Sequence, residues 1–227
     1  MSRRPSFANK RKPQIFLVDD HFIVREGLKQ LIHAKGDYEV CGEAKSGEQA
    51  LERLSPGNAD LAIVDLGLQG TMNGLDLIKL LKQKLPNLPI LVMSMYEENV
   101  YAERAFKAGA KGYIMKKGHS DELLKAIRQI LAGKIYASDH ITEKMMELAA
   151  GQRAASSSVE DLTDREFEVF QLVGRGFKTG AIAEQLHVSV KTVESYREEI
   201  KIKLELPSAA ELSQYAVNWM HNNRLGD

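Results

Sequence analysis

The chain has 227 residues, 44% of them hydrophobic and 27% charged, a balance that fits one large or two small folded domains. No apolar run approaches the roughly 20 residues that span a bilayer, and the basic start, Met1 to Pro13, leads into no apolar segment of the signal-peptide kind. The single cysteine, Cys41, excludes an intramolecular disulfide and points to a reducing cytoplasm. Net charge is zero but unevenly divided: from Glu160 onward 8 Lys/Arg face 12 Asp/Glu, a net of −4, which leaves +4 on the rest.

After a basic tail, residues 1–13, Gln14 to Val18 reads as a strand and Asp20 as the opening of a helix to Ile32, with Phe22, Ile23, Leu28, Leu31 and Ile32 as its apolar positions. Tyr38 to Ala44 reads as a second, buried strand containing Cys41. Ser46 with Gln49 forms a capping-box pattern before a helix to Leu54, which Ser55-Pro-Gly-Asn58 breaks. Leu61 to Asp65 is a third strand, and Asn73 caps a helix that Pro86 stops. Ile90 to Ser94, a helix from Val100 to Ala108, Gly112 to Met115, and a helix capped by Ser120 and running to Ala132 complete the pattern. Five short apolar strands alternating with helices predict a parallel sheet in an α/β domain over residues 14–133.

Residues 134–159 read as a linker with one amphipathic helix at 138–150; its end, Gly151 to Val159, is small and polar. Residues 160–227 carry a helical period throughout. Thr163 with Glu166 makes a capping box before a helix to Val173. Thr179 to Leu186, a turn at His187 to Ser189, and Val190 to Leu204 follow, and Ser208 with Glu211 opens a last helix. Four helices without a strand predict a small all-α domain.

The chemistry gathers at the strand ends. Asp19 and Asp20 follow the first strand, Asp65 the third, Ser94 the fourth and Lys116 the fifth. In an open parallel sheet these ends border one crevice, where ligands bind. Carboxylates converging there repel one another unless a hard cation sits among them, and Mg²⁺ takes one or two carboxylates plus a phosphate. A carboxylate so placed can accept a phosphoryl group as an aspartyl phosphate. Ser94 can then hydrogen-bond a phosphoryl oxygen and Lys116 pair with its charge.

With Val18-Asp19-Asp20-His21, Val64-Asp65-Leu66, Met93-Ser94-Met95 and Gly109-Ala-Lys-Gly-Tyr-Ile-Met-Lys116, the chain resembles the receiver domain of bacterial response regulators. The resemblance implies a flavodoxin-like sheet of order 2-1-3-4-5 and phosphorylation of Asp65 by a partner histidine kinase. It also implies Mg²⁺ held by Asp20, Asp65 and the Gly67 carbonyl, with Asp19 acting through water. Ser94 and Tyr113 become a switch pair in which Tyr113 swings inward on phosphorylation. The chain departs from the pattern at Gln69, where the family has Pro, in a Gly67–Asn73 loop one residue longer, and at Lys117 in place of Pro. A cis Lys116–Lys117 bond, as the family often has there, would cost roughly 3 kcal/mol.

Further on, Leu162-Thr-Asp-Arg-Glu-Phe-Glu-Val-Phe170, Ile182-Ala-Glu-Gln-Leu186 and Val188-Ser-Val-Lys-Thr-Val-Glu-Ser-Tyr-Arg197 resemble the LuxR/NarL-type DNA-binding domain, a four-helix helix-turn-helix module. The resemblance turns Lys191, Thr192, Glu194, Ser195 and Glu198 toward double-stranded DNA and sets Lys178, Thr179, Arg197 and Lys201 near phosphates. Val193, Ile200 and Leu204 form a core stripe. The last helix, with Leu212, Tyr215, Ala216 and Trp219, serves dimerisation or packs on its own domain. The expected protein is a cytoplasmic, non-enzymatic transcription regulator that forms a homodimer when phosphorylated. Two other readings stay open: a regulator whose acidic helical domain binds protein instead of DNA, and a Mg²⁺-dependent phosphatase. Gly67 speaks against the second, since it stands where such enzymes often place a proton-donating acid.

Overall fold

The computed structural model describes residues 11–34, 36–68, 72–117, 120–149 and 159–224. The expectations for the basic tail, for Gln69 and for Gly151 to Ser158 lie outside the described residues. Five strands, β1 (Gln14–Val18), β2 (Glu39–Ala44), β3 (Leu61–Val64), β4 (Ile90–Ser94) and β5 (Gly112–Met115), form one parallel sheet of order β2-β1-β3-β4-β5. The two-residue period of the strands divides the core. Ile15, Leu17, Ile63 and Ile114 face α1 (Phe22–Ala34) and α5 (Ser120–Leu131). Phe16, Val18, Ala62, Val64 and Val92 face α2 (Gly47–Arg53), α3 (Gly74–Lys84) and α4 (Glu98–Ala108). Side chains buried on both faces explain why these strands read as continuous apolar runs.

Local chemistry sets the ends. Asn73 caps α3 by accepting the Asp76 N–H at 2.8 Å. Gly109 ends α4 in the left-handed region, φ 111°, where a side chain would be strained. Ser46 accepts the Gln49 N–H at 3.3 Å, but Gln49 answers the Lys45 N–H, so that box is offset by one residue.

Three expectations are corrected. α1 begins at Phe22, and Phe22 and Ile23 are exposed, because its first turn projects past the ends of the strands. Cys41 is exposed, since β2 is the edge strand of the sheet. Ser120 is the first residue of α5 and lies within the helix it was expected to cap. In addition, the described residues contain no cis peptide bond, so Lys116–Lys117 is trans.

The segment after α5 belongs to the sheet domain more closely than a linker would. Tyr136 forms a parallel bridge to Gly112, donating its N–H to Lys111 O at 2.9 Å and accepting the Tyr113 N–H at 3.1 Å. It leads into α6 (Asp139–Ala149), which packs on α4 through the buried Ile141.

A 3₁₀ turn at Val159–Asp161 opens the helical domain: α7 (Asp164–Gly174), α8 (Thr179–Gln185), α9 (Val190–Lys203) and α10 (Ala209–Arg224). Thr163 and Glu166 make a full capping box on α7, with Thr163 N–H on Glu166 Oε2 at 2.7 Å. Phe167, Phe170, Val193, Ile200, Leu204, Leu212 and Ala216 form the buried centre. Trp219 packs edge-on against Phe167 and Phe170, both at 5.6 Å. Leu212 and Ala216 are therefore core residues of their own domain, and the exposed side of α10 is marked by Tyr215 and Val217.

Candidate functional site: an acidic pocket roofed by a second domain

Parallel pairing carries Asp19, Asp65, Ser94 and Lys116 to the C-terminal edge of neighbouring strands. Lys116 Nζ stands between two carboxylates, 2.7 Å from Asp19 Oδ2 and 2.7 Å from Asp65 Oδ2. Asp19, Asp65 and Ser94 are buried. Burial pushes the Asp65 carboxyl up from its ordinary value, partly offset by Lys116. Burial opposes the Lys116 charge, but Asp65 and Asp19 outweigh it and hold the ammonium above its usual range.

Asp65 Oδ1 accepts the Gly67 N–H at 3.2 Å, and Asp19 Oδ1 accepts the His21 N–H at 2.8 Å. Asp20 Oδ1 is buried and accepts no hydrogen bond; His21 Nδ1 approaches it to 2.8 Å outside hydrogen-bonding geometry. Ligand atoms of Asp19, Asp20, His21 and Asp65 all lie within 4.8 Å of one another. Clustered carboxylates with one oxygen left unsatisfied fit a hard divalent cation such as Mg²⁺.

Ser94 Oγ accepts the Tyr96 N–H at 3.3 Å. Tyr113 is buried and donates its hydroxyl to Tyr96 O at 2.8 Å, so it already has the inward orientation that the resemblance gives to the phosphorylated state. Gly74 lets α3 approach the pocket: a Cβ there would lie 2.2 Å from Asp65 O.

Residues not anticipated as functional surround this pocket. Arg25, buried in α1, donates to Asp19 O at 2.7 Å and pairs with Glu43 at 3.2 Å. Tyr96 leans over the rim: its hydroxyl and Asp65 Oδ2 lie 3.7 and 3.6 Å from where a Gly67 Cβ would be. Its phenol is pushed up to about 12, chiefly by burial, with Glu168, Asp65 and Asp20 adding to the rise and Arg175 opposing it.

Glu168 and Arg175 belong to the helical domain, whose α7 docks on α3 and α4. Arg104 anchors the dock, donating to Leu162 O at 2.8 Å and Val159 O at 2.7 Å, pairing with Asp164 at 3.3 Å, and lying 4.0 Å over the Phe167 ring. Lys79 also binds Asp164. Tyr101 stacks on Tyr96 at 4.5 Å and donates to Gln171 Oε1 at 2.8 Å. Glu168 accepts from Arg165 at 2.9 Å and from the α3 cap Asn73 at 3.4 Å. Asp164, Glu168, Gln171 and Arg175 recur at helical spacing along α7 and its end, the one sequence signal for this face.

Of the residues expected to meet DNA, Lys191, Glu194, Ser195 and Glu198 are exposed on α9, while Thr192, Arg197 and Lys201 are half-buried there. Lys178 is the exposed N-cap residue of α8 and Thr179 its half-buried first residue. Thr192 is tied to the cap Ser189 at 2.7 Å, Ser195 to Lys191 O at 3.1 Å, and Lys201 to Glu198 at 2.9 Å.

Among known sequence families, the response regulator receiver domain matches residues 15–128, and the luxR family of bacterial regulatory proteins matches residues 160–216. Oxygen regulatory protein NreC of Staphylococcus haemolyticus (strain JCSC1435) is 32% identical over 209 residues, covering 90% of this chain and 96% of NreC. NreC of Staphylococcus carnosus (strain TM300) is also 32% identical, with the same coverage. The solved structure of RcsB from Salmonella enterica serovar Typhimurium, bound to promoter rprA in the presence of phosphomimetic BeF3−, aligns with a TM-score of 0.62 at 25% identity, over 91% of this chain and 98% of that one. A LuxR-family two-component response regulator from Aurantimonas sp. SI85-9A1 is 35% identical over 60% of this chain and 97% of its own, with a TM-score of 0.54.

Proposed function

The chain belongs to the response regulators that join a receiver domain to a LuxR-type helix-turn-helix domain, and from that premise we propose that Asp65 is its phosphoacceptor and that phosphorylation governs operator binding by the second domain. The family is one of DNA-binding transcription regulators of two-component systems and not a class of enzymes. The observation that carries the assignment is the Lys116 ammonium held 2.7 Å from both Asp19 and Asp65, beside an Asp20 oxygen with no hydrogen bond.

In the proposed step an Asp65 oxygen attacks the phosphorus of a phosphohistidine on a partner kinase. The P–O bond forms as the P–N bond breaks, and the imidazole leaves with the bonding pair. Lys116 pairs with the charge of the transferred group, and Ser94 donates its hydroxyl to a phosphoryl oxygen. Asp20, Asp65 and the Gly67 carbonyl would hold Mg²⁺, with Asp19 acting through water; the cation supplies charge neutralisation to the phosphoryl oxygens.

For the second domain we assign Lys191, Thr192, Glu194, Ser195 and Glu198 to the major groove and Lys178, Thr179, Arg197 and Lys201 to phosphates. The ties within α9 mean that Thr192, Ser195 and Lys201 exchange local partners for DNA, so one domain binds weakly. Pairing of two copies on two half-sites raises affinity without new contacts. Site of action is the cytoplasm; no helix of the described residues is long and apolar enough to cross a membrane.

Intact mass after incubation with acetyl phosphate and Mg²⁺ tests the assignment. We expect a Mg²⁺-dependent, hydroxylamine-labile phosphoryl adduct on the native chain and none on Asp65→Ala. An adduct that persists in the variant overturns it. The −4 charge of the C-terminal part favours a second reading, a helical domain that binds protein. Electrophoretic mobility shift on the protein's own promoter region with a salt series separates the two, since only a DNA complex weakens steeply as salt rises.

A further inference from the structure

The end of the sheet opposite the acidic pocket holds a second cavity, of about 640 Å³, where β1, β3, β4 and β5 begin and α3 and α5 end. Small organic ligands occupy recesses of this size, about 300–1,000 Å³. Arg11, Lys82, Lys111 and Lys134 line it against one acid, Asp60. Asp60 is already spent: its two oxygens accept from Arg11 at 3.1 Å, and one of them accepts the Gln14 N–H at 2.7 Å. No described residue forms an ion pair with Lys82, Lys111 or Lys134. The ten residues ahead of Arg11 contain no Asp or Glu. Lys82 donates to the loop carbonyl of Pro86 and, at 3.0 Å, to that of Leu88. Its stem runs past Gly109, where a Cβ would meet it at 2.7 Å. An ammonium has three N–H groups, so one is left for a ligand.

Helix C-termini attract cations, and two helices end here, but each end carries only about half a negative charge. The last carbonyls of α5 are moreover taken by the backbone N–H groups of Gly133 and Lys134, at 2.9 and 3.0 Å. Three ammonium groups against two helix ends leave a surplus of roughly two positive charges. Without an anion these cations repel one another: burial lowers the Lys82 ammonium below its ordinary value, and Lys111 lowers it further. We propose that this cavity binds a small phosphomonoester with an apolar or planar body, of the size of a nucleoside monophosphate, at a site separate from the phosphoacceptor pocket. A phosphomonoester carries a charge near −2 at pH 7, which matches the surplus. Lysine ammonium groups suit it as point charges. Pro13, Pro89, Ile130 and Leu131 supply an apolar wall for the body of the ligand. Duplex DNA fits less well, because a single recess offers no track for successive phosphates.

Isothermal titration of the full chain with AMP, inorganic phosphate and adenosine, at low and at raised salt, tests the site. The expected result is one AMP per chain, bound more tightly than phosphate or adenosine and weakened by salt. Lys111→Ala and Lys134→Ala remove exposed side chains that hold no ion pair, so both should stay folded, which thermal melts verify. Each should weaken AMP about tenfold. Asp65→Ala, and Lys45→Ala at an exposed cation outside the cavity, should bind AMP like the native chain. No binding of AMP at millimolar concentration overturns the site, as does AMP that binds both lysine variants as tightly as the native chain. Loss of binding in Asp65→Ala places AMP in the acidic pocket and overturns the proposal too. Phosphate binding as tight as AMP shows that the walls contribute nothing and overturns the monoester assignment. A random-sequence duplex that displaces AMP, and whose own binding weakens in Lys111→Ala, assigns the cations to nucleic acid and overturns it as well.

Discussion

Arg104 is the residue on which the docked arrangement depends most heavily, and Arg104→Ala measures that dependence. Its guanidinium donates to two carbonyls, Leu162 O and Val159 O, pairs with Asp164, and covers the Phe167 ring at 4.0 Å. Hydrogen bonds made by a charged group contribute about 1.5–3 kcal/mol each, and a partly desolvated cation–π contact about 1 kcal/mol. Those gains are not additive, because in the undocked chain Arg104 and both carbonyls recover water. Asp164 also keeps Lys79 in the variant. A net cost of about 3 kcal/mol remains, which shifts the docking equilibrium by roughly a hundredfold. Small-angle scattering of the full chain at fixed salt should show an expanded particle, and Trp219 emission should shift toward that of an exposed indole. Scattering and emission unchanged from the native chain would refute the role given to Arg104, and with it the reading of α7 on α4 as a specific dock.

Gly74→Ala places a methyl 2.2 Å from Asp65 O, so α3 must back away from the pocket; we expect a loss of about 1–3 kcal/mol in a denaturant melt and slower adduct formation by time-resolved intact mass. Burial works against the Glu166 charge, but Lys203 at 2.7 Å and the Thr163 N–H overcome it and hold the carboxyl below its ordinary value of 4.5. A depressed folded value gives stability that is present above 4.5 and lost as pH falls through the lower one; thermal melts from about pH 6 to pH 3 should show that loss, and Glu166→Gln should flatten it. Lys191→Ala removes one exposed cation from α9. If Lys191 reads a base, the variant relaxes specificity at one operator position by about 1–3 kcal/mol, whereas a phosphate role lowers the salt slope by about 1 at every sequence, a distinction that titrations on matched and altered operators resolve.

The acidic pocket was legible because each strand of a parallel sheet delivers its next residue to the same edge, so Asp19, Asp65, Ser94 and Lys116 could be placed from strand ends alone. The division of the core followed from the two-residue period of Ile15-Phe-Leu-Val18. The misreadings have a common cause. An apolar residue near an element end need not be buried, and Phe22 and Ile23 sit beyond the sheet that would have covered them. Cys41 looked buried because strand order was needed to know that β2 is an edge. The dock was illegible for a further reason: Asp164, Glu168 and Gln171 at helical spacing have the composition of a solvated helix face, and only the position of Lys79, Tyr101 and Arg104 on another domain shows what they meet.

That face also bears on the acidity of the helical domain, which counted against DNA binding. Asp164 meets Lys79 and Arg104 of the receiver, Glu168 meets Asn73, and Glu166 is consumed within the domain by Lys203. Asp164 and Glu168 face the receiver and Glu166 is spent on Lys203 at the end of α9, so the three weigh on the total charge without standing free where phosphates would approach. The opposite imbalance of the receiver has its counterpart in the same contacts. With Lys203 paired to Glu166, α9 itself sets Lys191, Arg197 and Lys201 against Glu194, Glu198 and Glu199, a helix near neutrality. A near-neutral reading helix neutralises few phosphates and gives a single domain little affinity. Under the proposed function such a domain gains useful affinity only when two copies pair, and the dock, which engages α7 and leaves the exposed face of α9 open, would bear on that pairing and not on access to the reading helix.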